Sequence, residues 1–340
     1  GVAGRDKVTL LLPKEWAGAA LWTKQDFEES LGKSEALGIK IAIDETIKLT
    51  NYRAPKDPLQ DRVFLCVQVQ GLHGPDPRKA SLPRRRGYPS AVLTLSQGAQ
   101  LSAYMQFMHY AVFGMAFLRN MNFVTQPGVE LYKAITNRLY AEGEKAGGIE
   151  STREWQRFAA SPRQAKWRGG VTLHYDRLAG EADCATAPAI YAALLGRMAA
   201  ARSVTYGELT FFGDMRYSPR GRAMRAVLNR AGEKLFRARL KMPIDVYEGP
   251  AMNHSYHETI IGHGGCFSTV LLPEKAERLP AAGYTADYHK AQFLGTQMAL
   301  AERGRAVVAI TVKDLEPASL AALDEFFRQA ASAAKDGSAR

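Results

Sequence analysis

Two kinds of apolar run alternate along this chain. Val8-Thr9-Leu10-Leu11-Leu12 is apolar on both faces, the pattern of a strand covered on both sides in a parallel sheet. Ile39 to Ile43, Val63 to Val69 and Ala91 to Leu95 read as further strands. Residues 14–31 instead place Trp16, Ala19, Ala20, Phe27 and Leu31 near helical period, with Gly32 following as a C′ residue. Residues 101–118 are strongly apolar, with aromatics at Tyr104, Phe107, Tyr110, Phe113 and Phe117, and predict a buried helix. After a turn at Asn120 to Gln126, Pro127 suits the first turn of another helix, reaching about Glu144.

Residues 71–89, rich in Pro, Gly and Arg, read as a long loop. Residues 146–185 lose periodicity apart from Val171 to Tyr175 and read as a linker region. Beyond them, Ala187 to Leu195 fits strand or helix. A helix from about Gly221 to Leu240, a strand Phe267 to Leu272, a helix Tyr288 to Glu302, a strand Ala306 to Val312 and a helix Ser319 to Ala334 follow. Alternation of this kind predicts an α/β fold with a mostly parallel sheet. The division is a first domain over 1–145, the linker region, and a smaller α/β unit over 186–340.

Composition narrows the partners. In 340 residues, 46% are hydrophobic, enough for a core without staples. The formal net charge of +11 favours anionic partners: a phosphorylated metabolite, nucleic acid or an acidic protein face. The basic residues are scattered except for Arg84-Arg85-Arg86, which argues against a nucleic-acid groove; that run reads as a solvated surface or a phosphate contact. Cys66, Cys184 and Cys266 stand alone, which speaks against a disulfide framework or a zinc site and for a reducing, cytoplasmic setting. No apolar run approaches the roughly 18 residues of a membrane span, and no signal-peptide pattern is visible. The first residue is not Met and a strand begins by Val8, so a preceding region, on this chain or a partner, is expected.

Three stretches carry candidate chemistry. Glu28 and Glu29 end a helix, where the negative end of the dipole and partial burial raise a carboxylate toward the range of a general base; the plain alternative is two exposed helix acids. Gln126 stands at a helix start whose free amides can hold an anion, with Glu130 and Lys133 one turn apart on one face; the plain alternative is a surface ion pair. Three of the seven histidines, His254, His257 and His263, lie within ten residues beside glycines. They suit proton transfer. A metal site with Glu258 would need the 254/257 spacing to sit on a helix, whereas the stretch reads as a loop before a strand.

Together these stretches resemble glucose-6-phosphate isomerase, in particular the short form fused to transaldolase. Gly4-Arg5-Asp6-Lys7 is similar to the start of its second sugar isomerase (SIS) domain. Glu29-Ser30-Leu31-Gly32-Lys33 resembles its Glu-Ser-x-Gly-Lys motif, whose glutamate is the catalytic base. Asn122 to Gln126 and Gly128-Val129-Glu130-Leu131-Tyr132-Lys133 resemble Asn-x-Phe-Asp-Gln and Gly-Val-Glu-Leu-Gly-Lys. Gly249-Pro250, His254-Ser255 and Ala291-Gln292 through Arg303-Gly304-Arg305 resemble later parts of the fused form. Thr125 and Tyr132 depart from the family's aspartate and glycine, and Gly264 replaces a loop lysine. The alignment makes either His254 or His257 the family histidine. The first SIS domain, with its Ser/Thr-rich phosphate loop, has no counterpart here.

The resemblance implies a three-layer, SIS-like α/β/α sandwich in the first domain. It also implies interconversion of glucose 6-phosphate and fructose 6-phosphate through an enediolate, a step of glycolysis and gluconeogenesis, within a longer chain. Glu29 would carry the proton between C1 and C2. A histidine of the 254–263 loop, with Lys133, would open the ring, and Gln126, Lys33 and His263 would bind substrate. No metal or redox cofactor is required, since the carbon is already acidified by the adjacent carbonyl. A homodimer is compatible with the sequence. A non-catalytic sugar-phosphate-binding or scaffold module is the alternative.

Overall fold

The computed structural model describes residues 4–33, 38–74, 76–96, 98, 100–178, 184–249, 255–275, 285–335 and 337. The chain forms two compact units, 1–129 with 254–263, and 130–253 with 264–340.

The first unit is built on a four-stranded, fully parallel sheet: β1 (Lys7–Leu11), β2 (Lys40–Ala42), β3 (Arg62–Val69) and β4 (Ser90–Leu95), in the order β2-β1-β3-β4. Helices connect its strands. Helix α1 (Ala17–Leu31) follows β1 through a 3-10 turn at Lys14–Trp16. Helix α2 (Pro77–Arg85) precedes β4, its start fixed by Pro77 and by Asp76, whose side chain accepts from the Arg78 amide. Helix α3 (Gln100–Leu118) follows β4. Strand alternation divides the core. Leu10, Val67 and Val69 pack with Phe27, Leu31, Tyr104 and Met108 of α1 and α3 on one face, while Leu11, Phe64 and Cys66 meet Tyr52, Tyr88 and the α2 side on the other. This is the expected α/β/α arrangement.

Residues 71–89 thus hold a helix rather than a bare loop. The expectation that the 101–118 helix is buried also needs correction. Only the stripe Tyr104, Met108, Val112 and Ala116 is buried, and Phe107, Tyr110, Phe113, Phe117 and Leu118 are exposed.

Helix α4 (Pro127–Ala146) begins in the first unit and continues into the second. The second unit then contains α5 (Arg153–Ala159), β5 (Gln164–Trp167), β6 (Val171–His174), α6 (Ala187–Ala200), β7 (Val204–Phe212), α7 (Pro219–Ala231, continuing as a π-helical stretch Gly232–Arg239) and β8 (Ile244–Gly249). Helix α8 (Ser255–Gly262) returns to the first unit. Then come β9 (Gly265–Pro273), α9 (Ala286–Glu302), β10 (Ala306–Val312) and α10 (Pro317–Ala333). The six-stranded sheet runs β5-β6-β10-β9-β7-β8, parallel except where β6 pairs with β10 and β5. Helices α6, α7 and α10 build one large apolar cluster with its strands.

Residues 146–185 are therefore not a linker. Strands β5 and β6 extend the second sheet, and the second unit is the larger of the two, not the smaller. The ambiguous run 187–195 is helical. Strand β7 lies outside the expected elements because Gly207, Glu208 and Thr210 interrupt its apolar pattern, yet it is an interior strand of the sheet, paired on both sides by β9 and β8.

Candidate functional site

The site forms where α1 ends. Helix α1 runs back along β1, so its last turn lies beside the amino ends of the strands: Glu28 Oε1 accepts from the Lys40 ammonium (2.9 Å) and the Ile41 amide (3.1 Å) of β2, and from Lys24 (2.6 Å) one turn earlier. Glu28 is wholly buried, and this ion cluster fastens the helix end to the sheet. The two adjacent acids thus differ in kind. Glu29, one residue on, is half-buried, and its Oε2 accepts a long contact from the exposed Gln25 (3.3 Å).

Helix α8 closes the end of α1. The Thr259 hydroxyl donates to the Glu28 carbonyl (2.8 Å), which also accepts from the Gly32 amide (3.1 Å). Gly32 has φ −76°, so it is not a left-handed cap. A Cβ there would fall 2.6 Å from the Thr259 Cα, and one at Gly262 would fall 2.5 Å from the Gly32 carbonyl oxygen. Close helix contact, rather than backbone freedom, demands both glycines.

Four side chains gather at this end. The Gln126 side-chain amide donates to Glu29 Oε1. Its turn is shaped by Asn122, whose Oδ1 accepts from the amides of Val124 (2.9 Å) and Thr125 (3.4 Å). Glu258 of α8 is fully buried and places Oε2 on the free amides of Gly128 (2.9 Å) and Val129 (3.0 Å) at the start of α4. Burial raises the Glu258 pKa, against the pull of those amides and of Lys33, and the Glu29 charge adds to the rise. Burial lowers the Lys33 pKa, opposed by Glu258 and Glu29. Lys33 Nζ and Glu258 Oε1 are buried without a hydrogen-bond partner among the described residues. Two carboxylates thus flank one lysine, with an amide holding one of them.

The expected residues are distributed unevenly over this geometry. Glu29, Lys33 and Gln126 are brought together. His257 is fully buried within α8 and does not face solvent, so a ring-opening role for it lacks access. The stretch is helical from Ser255 rather than a loop. His263 is buried, with Nε2 3.6 Å from Asp6 and its ring against Gly38; it anchors the end of α8 at the start of β1. For Asp6, burial alone would raise the pKa, but the His263 hydrogen bond and the Lys7 charge take it well below the usual carboxylate range. His254, with Pro250, lies outside the described residues. Lys133 belongs to the second unit and pairs with Glu130 at 3.5 Å. Tyr132 is buried there, and burial pushes its phenol well above the usual range. Arg84, Arg85 and Arg86 are exposed at the end of α2. Among the described residues no His, Cys, Asp and Glu group is arranged to hold a metal.

The role of Glu258 escapes a reading of the sequence, although one signal is present. Gln126-Pro127-Gly128 offers α4 no Ser, Thr, Asp or Asn cap, so its first amides need an acceptor from elsewhere. That acceptor is a protein carboxylate, and it occupies the anion-holding position expected at this helix start.

The second unit has a small cleft at the carboxyl ends of β7 and β9, where parallel sheets usually bind ligands. Its charged groups are engaged: Lys290 pairs with Glu150 (2.7 Å), and Asp214 accepts from the amides of Arg216, Tyr217 and Ser218. The α1 end, with its unpartnered lysine and carboxylate oxygen, is the better candidate.

No family profile and no curated protein matches this chain. Among solved structures, it is similar to a hypothetical protein from Thermus thermophilus, at 12% identity and a TM-score of 0.32, over 98% of this chain and 78% of that one. A likeness of that size carries no argument about fold or function. No described helix is long and apolar enough to cross a membrane.

Proposed function

We propose that this protein catalyses aldose–ketose isomerisation of a sugar phosphate, glucose 6-phosphate and fructose 6-phosphate being the pair that the sequence resemblance implies. One observation carries the reading: Glu29, half-buried at the end of α1, is held through one oxygen by Gln126 beside a lysine and a second carboxylate. A base for this chemistry must be oriented, partly desolvated and close to a group that tolerates developing negative charge.

In the proposed reaction, Glu29 removes the proton from C2 of the open-chain aldose. The C–H electron pair forms the C1–C2 double bond, and the C1 carbonyl pair moves onto O1. The O2 hydroxyl gives up its proton and O1 takes one up, exchanged between the two oxygens through water, while Glu29 returns the carbon-bound proton to C1 and the C2 carbonyl forms. Gln126 fixes the carboxylate so that Oε2, released by the exposed Gln25, meets the substrate carbon. The Lys33 ammonium balances the enediolate oxygens, and Glu258 keeps Lys33 in place while anchoring α4.

Glu29→Gln keeps the size and the hydrogen-bonding partner but removes the base. Turnover in a coupled isomerase assay should fall by at least about 1000-fold, with the far-ultraviolet circular dichroism unchanged. Loss of deuterium from C2 of labelled substrate into water should stop with it. An unchanged rate removes Glu29 from the mechanism. The second reading, a sugar-phosphate-binding module without turnover, is favoured by one feature: Glu258 already fills the amides at the start of α4 that would otherwise hold an anion. Ligand binding by calorimetry without deuterium loss would support it.

A further inference from the structure

One corner of the first unit collects cations without acids to answer them. Helix α2 and its C-cap carry Arg78, Lys79, Arg84, Arg85 and Arg86, and no Asp or Glu occurs from Pro77 to Val129. Arg78 and Arg84 to Arg86 are exposed, and among the described residues none of the four is ion-paired with a carboxylate. Arg85 donates instead to the Arg78 carbonyl (3.2 Å), and Asp76 is turned to the Arg78 amide (2.9 Å) as the N-cap. Several exposed arginines elsewhere do have partners: Arg138 pairs with Glu142, Arg168 with Glu325 and Arg230 with Asp324. The helix dipole accounts for part of the cluster only. Arg84 and Arg85 in the last turn meet its negative end, but Arg78 in the first turn meets its positive end and is disfavoured there. The loop beside the end of α2, where a Cβ on Gly87 would lie 3.8 Å from Pro55, adds the exposed Lys56, and its acid Asp57 is taken by Arg53 (3.4 Å).

We propose that this corner binds the phosphate backbone of a nucleic-acid strand without reading its sequence. In the sequence, Arg84-Arg85-Arg86 fits a solvated surface or a phosphate contact, and three observations select the contact. The first is charge: like cations crowded on one short helix repel unless an external anion offsets them. The second is shape. Arg78 and Arg85 stand about two turns apart on one side of α2, some 10 Å along its axis. A strand carries one phosphate per about 3.4 Å of its axis, so several fit that span. An open helix surface does not enclose a small anion, which takes a concave site. The third is composition. Ala80 and Leu82 pack inward, Pro83 is buried, and none of the described exposed large apolar side chains falls between Gly71 and Pro89. A protein partner needs an apolar centre to its interface, and a membrane surface needs apolar side chains to insert. A phosphate backbone needs neither, and guanidinium groups present paired N–H donors that match its oxygens. Tyr88, the aromatic residue of this stretch, is buried and so does not stack on a base. Contact therefore stays on the backbone.

Fluorescence anisotropy with short labelled single strands, RNA and DNA of the same mixed sequence, tests the proposal. Both should bind with a Kd between about 1 and 100 μM near physiological salt. Four phosphate contacts give a slope of about −3 for log affinity against log salt, so affinity should fall roughly sixtyfold between about 50 and 200 mM salt. The combined variant Arg84→Gln, Arg85→Gln, Arg86→Gln should weaken binding at least about tenfold and bring the slope to about −1, with circular dichroism and thermal midpoint unchanged. Arg153→Gln, Arg157→Gln and Arg303→Gln together remove the same charge from exposed positions of the second unit and should leave affinity within about twofold. Inorganic polyphosphate should displace the strand, and poly-glutamate of equal total charge should not. The proposal is overturned by a wild-type protein that binds neither strand at low salt, or by binding that survives the α2 substitutions. Equal losses in the two combined variants would overturn it in favour of net charge alone, and equal displacement by poly-glutamate in favour of an acidic protein face.

Discussion

The two units solve the same folding problem in opposite ways. The first buries cations and exposes apolar surface; among the described residues the second buries carboxylates, such as Glu208 and Glu248, but no lysine or arginine. Among the described residues, every buried lysine and arginine, namely Lys7, Lys24, Lys40 and Arg62, lies in the first unit, paired with Asp6, Asp61, Glu28 or Glu45. Of the exposed large apolar side chains described, all but Tyr217 lie there too. The second unit encloses a broad apolar cluster drawn from β7, β9, β10 and helices α6, α7 and α10. Buried ion pairs add little net stability, since desolvation offsets attraction, but they penalise alternative placements strongly. The first unit therefore reads as built for position: the ions fix where α1 ends, and that end carries Glu29. The second unit draws its stability from area.

This contrast is sharpest between two neighbouring residues. Glu28→Ala strands Lys24 and Lys40 in a dry interior and should destabilise the protein by about 3–5 kcal/mol. Glu29→Ala, at a half-open position, should change stability by no more than about 1 kcal/mol while removing the proposed activity. Urea unfolding at neutral pH measures both. Equal losses would erase the distinction between a structural and a chemical acid.

The second unit has its own weakness, toward acid. Burial depresses the pKa of His174 and of His289 to about 4. Both are folded in the neutral form, so their contribution is complete above the ordinary histidine pKa of 6.5 and is lost as pH falls toward 4. The effect is up to about 3 kcal/mol each over that window. Hydrogen exchange in peptides from β9 and β10 should accelerate between about pH 6.5 and 4. His174→Phe, in a pocket where His174 already stacks on Phe158 at 4.4 Å, should flatten the dependence. Loss confined to the first unit would reverse the assignment.

Legibility in the sequence follows from the same physics. Strand β10 matches its expected range because every position is buried and all but Thr311 are apolar, so pattern and burial coincide. Strand β7 does not stand out because its pairing is held by neighbours on both sides, and pairing tolerates Gly207 and Glu208. The 101–118 helix is recognisable, but its degree of burial is not: an apolar helix reads alike whether core or partner covers it. At the site, Glu29, Lys33 and Gln126 are reached through motif resemblance. The splitting of Glu28 from Glu29 depends on Lys40 and Ile41, and the anchoring by Glu258 on amides 130 residues away. No local pattern records such partners.

The smallest expected effect tests why the charges are inside at all. In the triple variant Lys24→Met, Glu28→Leu, Lys40→Met, the whole cluster is exchanged for apolar side chains of similar volume. No unpaired charge remains, so stability should stay within about 1 kcal/mol of wild type or rise. The cluster also fixes the last turn of α1, because Glu28 is bound to both an amide and an ammonium of β2. Apolar contact is non-directional and does not reproduce that hold. The variant should therefore fold as well as wild type yet lose turnover in the isomerase assay, with Glu29 no longer held against Gln126. Retained turnover would mean that packing by α8, through Thr259 and the two glycines, is enough to set the helix end. A large loss of stability would mean that the ions contribute to the fold itself, and the contrast between the two units would then be one of composition rather than of purpose.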